Sequence, residues 1–312
     1  MPPVIASLLA GAGLLLASGA ALAQERPALA SSAAAAMPKT VALATVDDAG
    51  NRLTLAAPAR RIVSLAPHAT ELLYAAGAGE QVVGVSEFSD HPPQARQLPG
   101  VGSAAALDLE RIVALKPDLV VAWSSGNSAA QIARLKNLGI PVFESEPRDF
   151  ATIAGNIERL AQLAGTESAG RAAAAKFRAR LDSLAERHAQ SAPVRVFYQI
   201  WDKPLMTLND MHMASAVLRL CGGRNVFGGL KQLAPTVGVE DVVRIDPEAI
   251  IGGTSKDNNA LSSWRRFPKM TAVARGNLFV ADPDLLTRPG PRIIDGAGQI
   301  CRLLETARAR RP

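Results

Sequence analysis

Residues 109–123 read Leu-Glu-Arg-Ile-Val-Ala-Leu-Lys-Pro-Asp-Leu-Val-Val-Ala-Trp, and this stretch decides the fold. Its first half places apolar residues at helical spacing behind an early carboxylate. Lys116-Pro117-Asp118 breaks the run. The uninterrupted apolar segment that follows is the pattern of a strand covered on both faces. The same order returns in the second half of the chain as Val239-Glu240-Asp241-Val242-Val243-Arg244-Ile245-Asp246-Pro247-Glu248-Ala249-Ile250. Both copies run apolar-Glu-x-apolar-apolar, then x-Pro, then a buried strand. The chain is therefore read as a duplicated α/β protein.

Outward from these anchors, strands and helices alternate. Residues 61–65 are a short apolar strand closed by Pro67, and residues 70–76 are helical with Gly77 as the stop. Strands are expected at 82–85 and 139–143, with a helix at 129–138 between them. Residues 150–164 and 167–190 are two helical runs separated only by Gly165-Thr166. The second run is about 35 Å long at 1.5 Å per residue. It carries Phe177, Leu181 and Leu184 at helical spacing, which suits a brace between two lobes. After Pro193 the alternation restarts: a strand at 195–200, a helix at 213–221 stopped by Gly222-Gly223, a helix at 240–243, strands at 249–251 and 277–280, and a closing helix at 293–307. Alternation of this kind argues for mostly parallel sheets with helices on both faces. Ahead of it, residues 40–55 read as a hairpin turning at Asp47-Asp48-Ala49-Gly50-Asn51.

Composition narrows the function. Of 312 residues, 48% are apolar and 20% charged, which excludes collagen, coiled coil and wholesale disorder. The net charge of +6 is spread along the chain apart from Arg308, Arg310 and Arg311. Nucleic-acid binding needs positive charge gathered on one surface, so no nucleic-acid partner is expected. Residues 4–23 are uncharged and end in Ala21-Leu22-Ala23, the form of a cleavable export signal with cleavage after Ala23. A short apolar span of this length also reads as an uncleaved anchor; three glycines in it favour the signal. Residues 24–39 are rich in Ala, Ser and Pro and are read as a disordered linker. The expected organisation is then a signal peptide (1–23), this linker, an N-terminal lobe with its leading hairpin (40–150), a connecting backbone helix (151–192) and a C-terminal lobe (193–312). There are two cysteines, Cys221 and Cys301. In a reducing compartment they would be buried thiols; after export an even count favours a disulfide.

Glu110 and Glu240 occupy matching places in the duplication. A carboxylate at a helix start is favoured by the helix dipole by about 0.3–1 kcal/mol, so structure alone explains them. Two equivalent carboxylates on two lobes also suit a grip on a two-fold partner.

Four segments in order, Arg61 to Leu72 (RIVSLAPHATEL), Leu109 to Trp123, Leu220 to Phe227 (LCGGRNVF) and Arg288 to Cys301 (RPGPRIIDGAGQIC), supported by Val85 to Gln94 (VSEFSDHPPQ), resemble a known family. It is the helical-backbone class of periplasmic substrate-binding proteins of ABC importers, and within it the vitamin B12-binding proteins. The resemblance spans roughly residues 60–307. It implies two Rossmann-like lobes joined by a long backbone helix, a ligand cleft between them, and little lobe closure. It implies a Cys221–Cys301 disulfide. It implies docking of Glu110 and Glu240 on arginines of a permease dimer in the inner membrane. The binding protein itself is expected to be a periplasmic monomer with no intrinsic cofactor and no metal site of its own.

A corrinoid needs apolar or aromatic walls and a few polar anchors. Trp123, Phe88 and Trp201 sit at or just beyond expected strand ends, where ligands of open α/β sheets collect. Asp284 and Arg288 are spaced i, i+4, and the family places a matching Asp and Arg on ligand amides. His68 follows Pro67 in a strand-to-helix loop facing the expected cleft. His91 and His212 also read as loop residues, and His188 as a solvated residue of the bracing helix. Family positions for further aromatic walls carry Ala104 and Ala234, and a third carries Ile200; Trp201, Met206 or His212 is expected to repack the wall.

The glycines are not in dinucleotide or phosphate-loop spacing and no G-x-S-x-G elbow occurs. The expected function is capture of cobalamin or another corrinoid for an ABC permease. Haem or a ferric siderophore is the alternative ligand. A periplasmic hydrolase using His68 is the alternative from another class; no enzymatic activity is expected.

Overall fold

The computed structural model describes residues 42–253 and 261–312. The expected signal peptide and linker lie outside these residues. Among them, no helix is long and apolar enough to cross a membrane.

The leading hairpin pairs β1 (Leu43–Val46) with β2 (Arg52–Leu55) in antiparallel register. The N-terminal lobe follows with β3 (Ile62–Ser64), α1 (Pro67–Ala75), β4 (Val82–Val85), α2 (Leu109–Ala114), β5 (Leu119–Trp123), α3 (Ala129–Asn137) and β6 (Val142–Ser145). Two long helices come next, α4 (Phe150–Ala164) and α5 (Glu167–His188). The C-terminal lobe contains β7 (Val194–Gln199), α6 (Met213–Leu220), β8 (Gly223–Asn225), α7 (Val239–Ile245), β9 (Ala249–Gly253), α8 (Thr271–Ala274), β10 (Leu278–Ala281), α9 (Asp284–Thr287) and α10 (Ile293–Ala309).

Both sheets are four-stranded and parallel, ordered β4-β3-β5-β6 and β10-β9-β7-β8. Counted within each lobe, both orders are second-first-third-fourth, so the duplication seen in sequence is a duplication of topology. It reaches single residues. Lys116 and Asp246, each just before a proline, both adopt positive φ, at 48° and 53°. The next carboxylate in each copy caps the start of the lobe's first strand: Asp118 accepts from the Arg61 backbone N–H at 3.0 Å, and Glu248 from that of Arg195 at 3.3 Å.

Several boundaries differ from expectation. Pro67 opens α1 at its first turn instead of merely ending the strand, because a missing N–H is harmless there. This moves His68 out of a loop and into a helix. Strand β6 begins at Val142, after Pro141. Gly223, read as part of a helix stop, opens β8; the stop is Gly222 alone, at φ 71°.

Strand alternation sends side chains to three cores. Val63, Val120 and Ala122 face one outer core with Ile112 and Ile132. Phe197 and Ile250 face another with Phe227, Val242 and Trp264. The inner faces, with Ile62 and Val121 on one sheet and Val196, Tyr198 and Ile251 on the other, share a single continuous core. Helix α5 threads that core with Phe177 and Leu184 buried and Leu181 packed against it. Each fully buried side chain of this size stabilises by about 1.5–3 kcal/mol. His188, at the end of α5, is 7% exposed and not solvated as expected. Its Nδ1 lies 3.4 Å from Ser191 Oγ and 3.7 Å from Glu305 Oε1.

The Cys221–Cys301 disulfide is formed, tying the C-terminal end of α6 to α10 across 80 residues of sequence. Closing a loop of that length stabilises by roughly 4 kcal/mol in the chain-entropy model. A Cys221→Ser, Cys301→Ser variant is expected to unfold at markedly lower urea than the oxidised protein, and a reductant should erase most of the difference.

Candidate functional site

In each sheet the first and third strands lie side by side, and the chain leaves them in opposite lateral directions. That is the topological switch point, and ligands of open α/β sheets bind beyond the strand ends there. At this place in the N-terminal lobe are the ends of β3 and β5; in the C-terminal lobe, the ends of β7 and β9.

Trp123 is the last residue of β5 and is half-buried. Its ring folds back over the following loop: a Cβ built at Gly126 would meet it at 1.8 Å, so only glycine fits. Asn127 fixes the arrangement. Its Oδ1 accepts from the Trp123 N–H at 2.7 Å, and its Nδ2 donates to the carbonyls of Leu65 at 3.1 Å and Ala104 at 2.8 Å. One buried amide thereby ties the β5 end to the β3 end and to the Ala104 segment. The His68 ring meets Trp123 edge-on with centroids 5.7 Å apart. His68 is only 3% exposed, and its buried Nε2 has no partner among the described residues. His68 was expected in a loop open to the cleft; it sits in the first turn of α1, where the proline start carries it into the interior. Burial pushes its imidazole down to about 4.

Phe88 lies in the loop after β4, 75% exposed and at φ 62°. For a bulky non-glycine residue this conformation costs about 1–2 kcal/mol, and such strain concentrates at functional loops. Trp201 follows β7 and is 62% exposed, its indole N–H donating to the Lys203 carbonyl at 3.0 Å. Two large rings are thus left open to solvent at strand ends of both lobes. Ala104 and Ala234 add no bulk. His212, expected in a loop, is the N-cap of α6: its Nδ1 accepts from the Ala214 N–H at 3.0 Å. Burial pushes it too down to about 4.

Asp284 and Arg288 do meet, at 3.0 Å. The same guanidinium reaches across to the other lobe and donates to Asp90 at 2.7 Å. Burial opposes the charge on Asp90, but the Arg288 hydrogen bond and positive charge outweigh it and hold the carboxyl below its usual range. A second interlobe pair lies beside the first. Arg292 donates from Nη2 and Nε to the two oxygens of Glu71, at 2.6 and 3.0 Å. The Glu71 side chain is 3% exposed. Asn127, Asp90, Glu71 and Arg292 escaped the sequence reading. The sole local hint was Arg292 falling four residues after Arg288; their partners are 198 and 221 residues distant in sequence.

Glu110 and Glu240 stand exposed in the first turns of α2 and α7, the equivalent helices of the two lobes.

Two parallel-sheet lobes braced by one long helix, with large rings at strand ends of both, have the architecture of a two-lobe binding protein. Residues 62–285 match the periplasmic binding protein family, and the chain belongs to it. Over 251 residues it is 40% identical to the vitamin B12-binding protein of Vibrio cholerae serotype O1, covering 80% of this chain and 91% of that one. The crystal structure of the periplasmic vitamin B12 binding protein of Vibrio cholerae is similar with a TM-score of 0.75 and 39% identity, over 80% of this chain and 98% of that one. A periplasmic heme binding protein from Pseudomonas aeruginosa is similar with a TM-score of 0.70 and 25% identity, over 78% and 91% of the two chains.

Two outcomes are expected. His68 and His212 both have folded-state values near 4, below the unfolded value of about 6.5. The unfolded chain therefore binds more protons between these limits, and stability falls as pH drops from about 6.5 towards 4. His212→Asn, which keeps a capping acceptor, should flatten part of that slope in urea titrations. Arg292→Met should destabilise by about 3 kcal/mol in the same assay, because it strands a buried carboxylate; an unchanged midpoint would show that Glu71 does not depend on this partner.

Proposed function

We propose that this protein captures a corrinoid, cobalamin in the first instance, at the facing strand ends of its two lobes and delivers it to an ABC permease. The observation that carries the reading is the pair of solvent-exposed rings, Phe88 and Trp201, on opposite lobes, with Trp123 half-buried between loop and sheet. Large exposed apolar surface marks a binding site, and a flat ring edged with amides matches aromatic walls with few charges. The likeness to vitamin B12-binding proteins supports the same ligand. Arg288 has five N–H donors and gives one each to Asp90 and Asp284; the remainder can serve ligand amide carbonyls, and Asp284 the amide N–H groups. His68 acts from beneath, packing under Trp123. The ligand is carried, not transformed.

The chain is exported on its signal peptide, which is cleaved after Ala23, and the mature protein acts in the periplasm as a monomer. Glu110 and Glu240 dock on cationic side chains of the permease. Such exposed charges chiefly set orientation and association rate, so they can be removed without touching the ligand site.

Titration calorimetry of the mature protein with cyanocobalamin is expected to give saturable one-to-one binding. Trp201→Ala should weaken it at least about tenfold, the loss of roughly 1.4 kcal/mol of ring contact. A Soret shift with hemin and no heat with cobalamin would transfer the reading to haem. The Glu110→Ala, Glu240→Ala variant should bind cobalamin normally yet fail to support uptake in cells; lost affinity in that variant would refute the docking role.

A further inference from the structure

At the mouth between the lobes the positive charge is placed behind the negative. The Arg288 side chain is 15% exposed, whereas the two carboxylates that hold it, Asp90 and Asp284, are 43% and 47% exposed. An approaching ligand meets carboxylate oxygen before guanidinium. The neighbouring charges do not reverse this. Arg292 is occupied on two nitrogens by Glu71. Asp282 accepts from the Asp284 backbone N–H at 2.9 Å and adds a further carboxylate. Burial and the Arg292 charge lower the His91 imidazole against the opposing pull of Glu71 and Asp90, so it adds less positive charge here than an exposed histidine would. Arg96 is spent in part on the Asp90 carbonyl, at 3.1 Å. Among these described residues, four carboxylates (Asp90, Asp282, Asp284, Glu71) face three guanidinium groups (Arg96, Arg288, Arg292), a net acidic set on a chain whose net charge is +6.

We propose that Asp90 is a specificity determinant of the cleft: by clamping Arg288 from the opposite lobe it withholds a guanidinium from anionic groups, and so restricts the site to neutral or cationic macrocycles. The inference rests on the corrinoid reading above and extends it by naming what the site rejects. Arginine pairs with carboxylates through strong charge-assisted bonds. Left with a free fork, Arg288 would attract the acid side chains that porphyrins carry. With both terminal nitrogens already engaged, a ligand carboxylate competes with two protein carboxylates for the fork and faces the repulsion of both. Corrinoid amides carry no such charge and can accept from the N–H groups that remain. Discrimination here comes from a repulsive element as much as from an attractive one.

The test compares two probes on the whole mature protein: cyanocobalamin, which is neutral, and metal-free coproporphyrin, which bears four carboxylates and cannot coordinate a histidine through iron. Asp90→Asn keeps the shape and removes the charge. It is expected to raise the coproporphyrin-to-cyanocobalamin affinity ratio by about tenfold, one charge-assisted contact exchanged. Asp284→Asn frees the same guanidinium without touching the interlobe pair and should move the ratio in the same direction. Adding Arg288→Met to Asp90→Asn should cancel the gain. The proposal is overturned if Asp90→Asn weakens both probes equally, leaves the ratio unchanged, or keeps its gain without Arg288. Should the wild type not bind cyanocobalamin, the corrinoid reading fails, and the coproporphyrin affinities of wild type, Asp90→Asn and the double variant still decide this one.

Discussion

The constraint on which the molecule depends is the continuous apolar core that runs from the inner face of one sheet, through α5, to the inner face of the other. Two-lobe proteins ordinarily meet across modest, partly polar interfaces and move as hinges. Here the lobes share buried side chains, and Phe177, Leu181 and Leu184 of one uninterrupted helix pack into that shared core. Opening or closing the mouth would pull those residues out of close packing, and packed interiors resist continuous deformation. The spacing of the strand ends is therefore set by packing before any ligand arrives.

That spacing explains how the polar groups at the mouth are arranged. Glu71 is nearly fully buried, and a buried carboxylate without a partner is strongly destabilising. Its partner comes from the far lobe in a two-point contact, which is geometrically possible only if the lobes hold one distance. Asp90 and Arg288 repeat the arrangement nearer the surface. The pairs do not create the rigidity. They are permitted by it, and in return they pair off opposite charges where the two lobes meet. A preformed mouth whose charges are already paired lowers the ordering cost of binding, which suits a protein that must later let its ligand go.

The sequence made the framework readable because the framework is local and repeated. The run from Leu109 to Trp123 states helix, break and buried strand within a few turns of chain, and its echo at Val239 states them again. Even Lys116 and Asp246, odd backbone positions for non-glycine residues, fall where the echo puts them. The rings at Trp123, Phe88 and Trp201 were legible because they stand at strand ends. What stayed hidden was whatever depends on the third dimension. Whether a proline ends a strand or starts a helix is decided by what the next turn packs on, and so His68 moved indoors. His188 lies on a helix whose charged residues suggest solvent, yet its ring is covered from α10. The interlobe pairs join residues with no common pattern in sequence. Asn127 reads as one more polar loop residue until its three hydrogen bonds are seen to hold Trp123 in place.

A rigid frame with paired charges at its mouth also bears on how capture and release divide the work. If the lobes cannot close, affinity must come from surfaces already in place, which favours a flat, stiff ligand whose own ordering cost is small. A flexible ligand would lose entropy on a scaffold unable to wrap it. On the proposed docking, release would come from a partner that strains the shared core and not from spontaneous opening. Matching carboxylates in the first turns of α2 and α7 stand on opposite lobes at equivalent places, so a two-fold partner that grips both gains leverage on the interlobe spacing itself. The same α5 packing that makes the free protein a stiff receptor would make it a spring once both lobes are held.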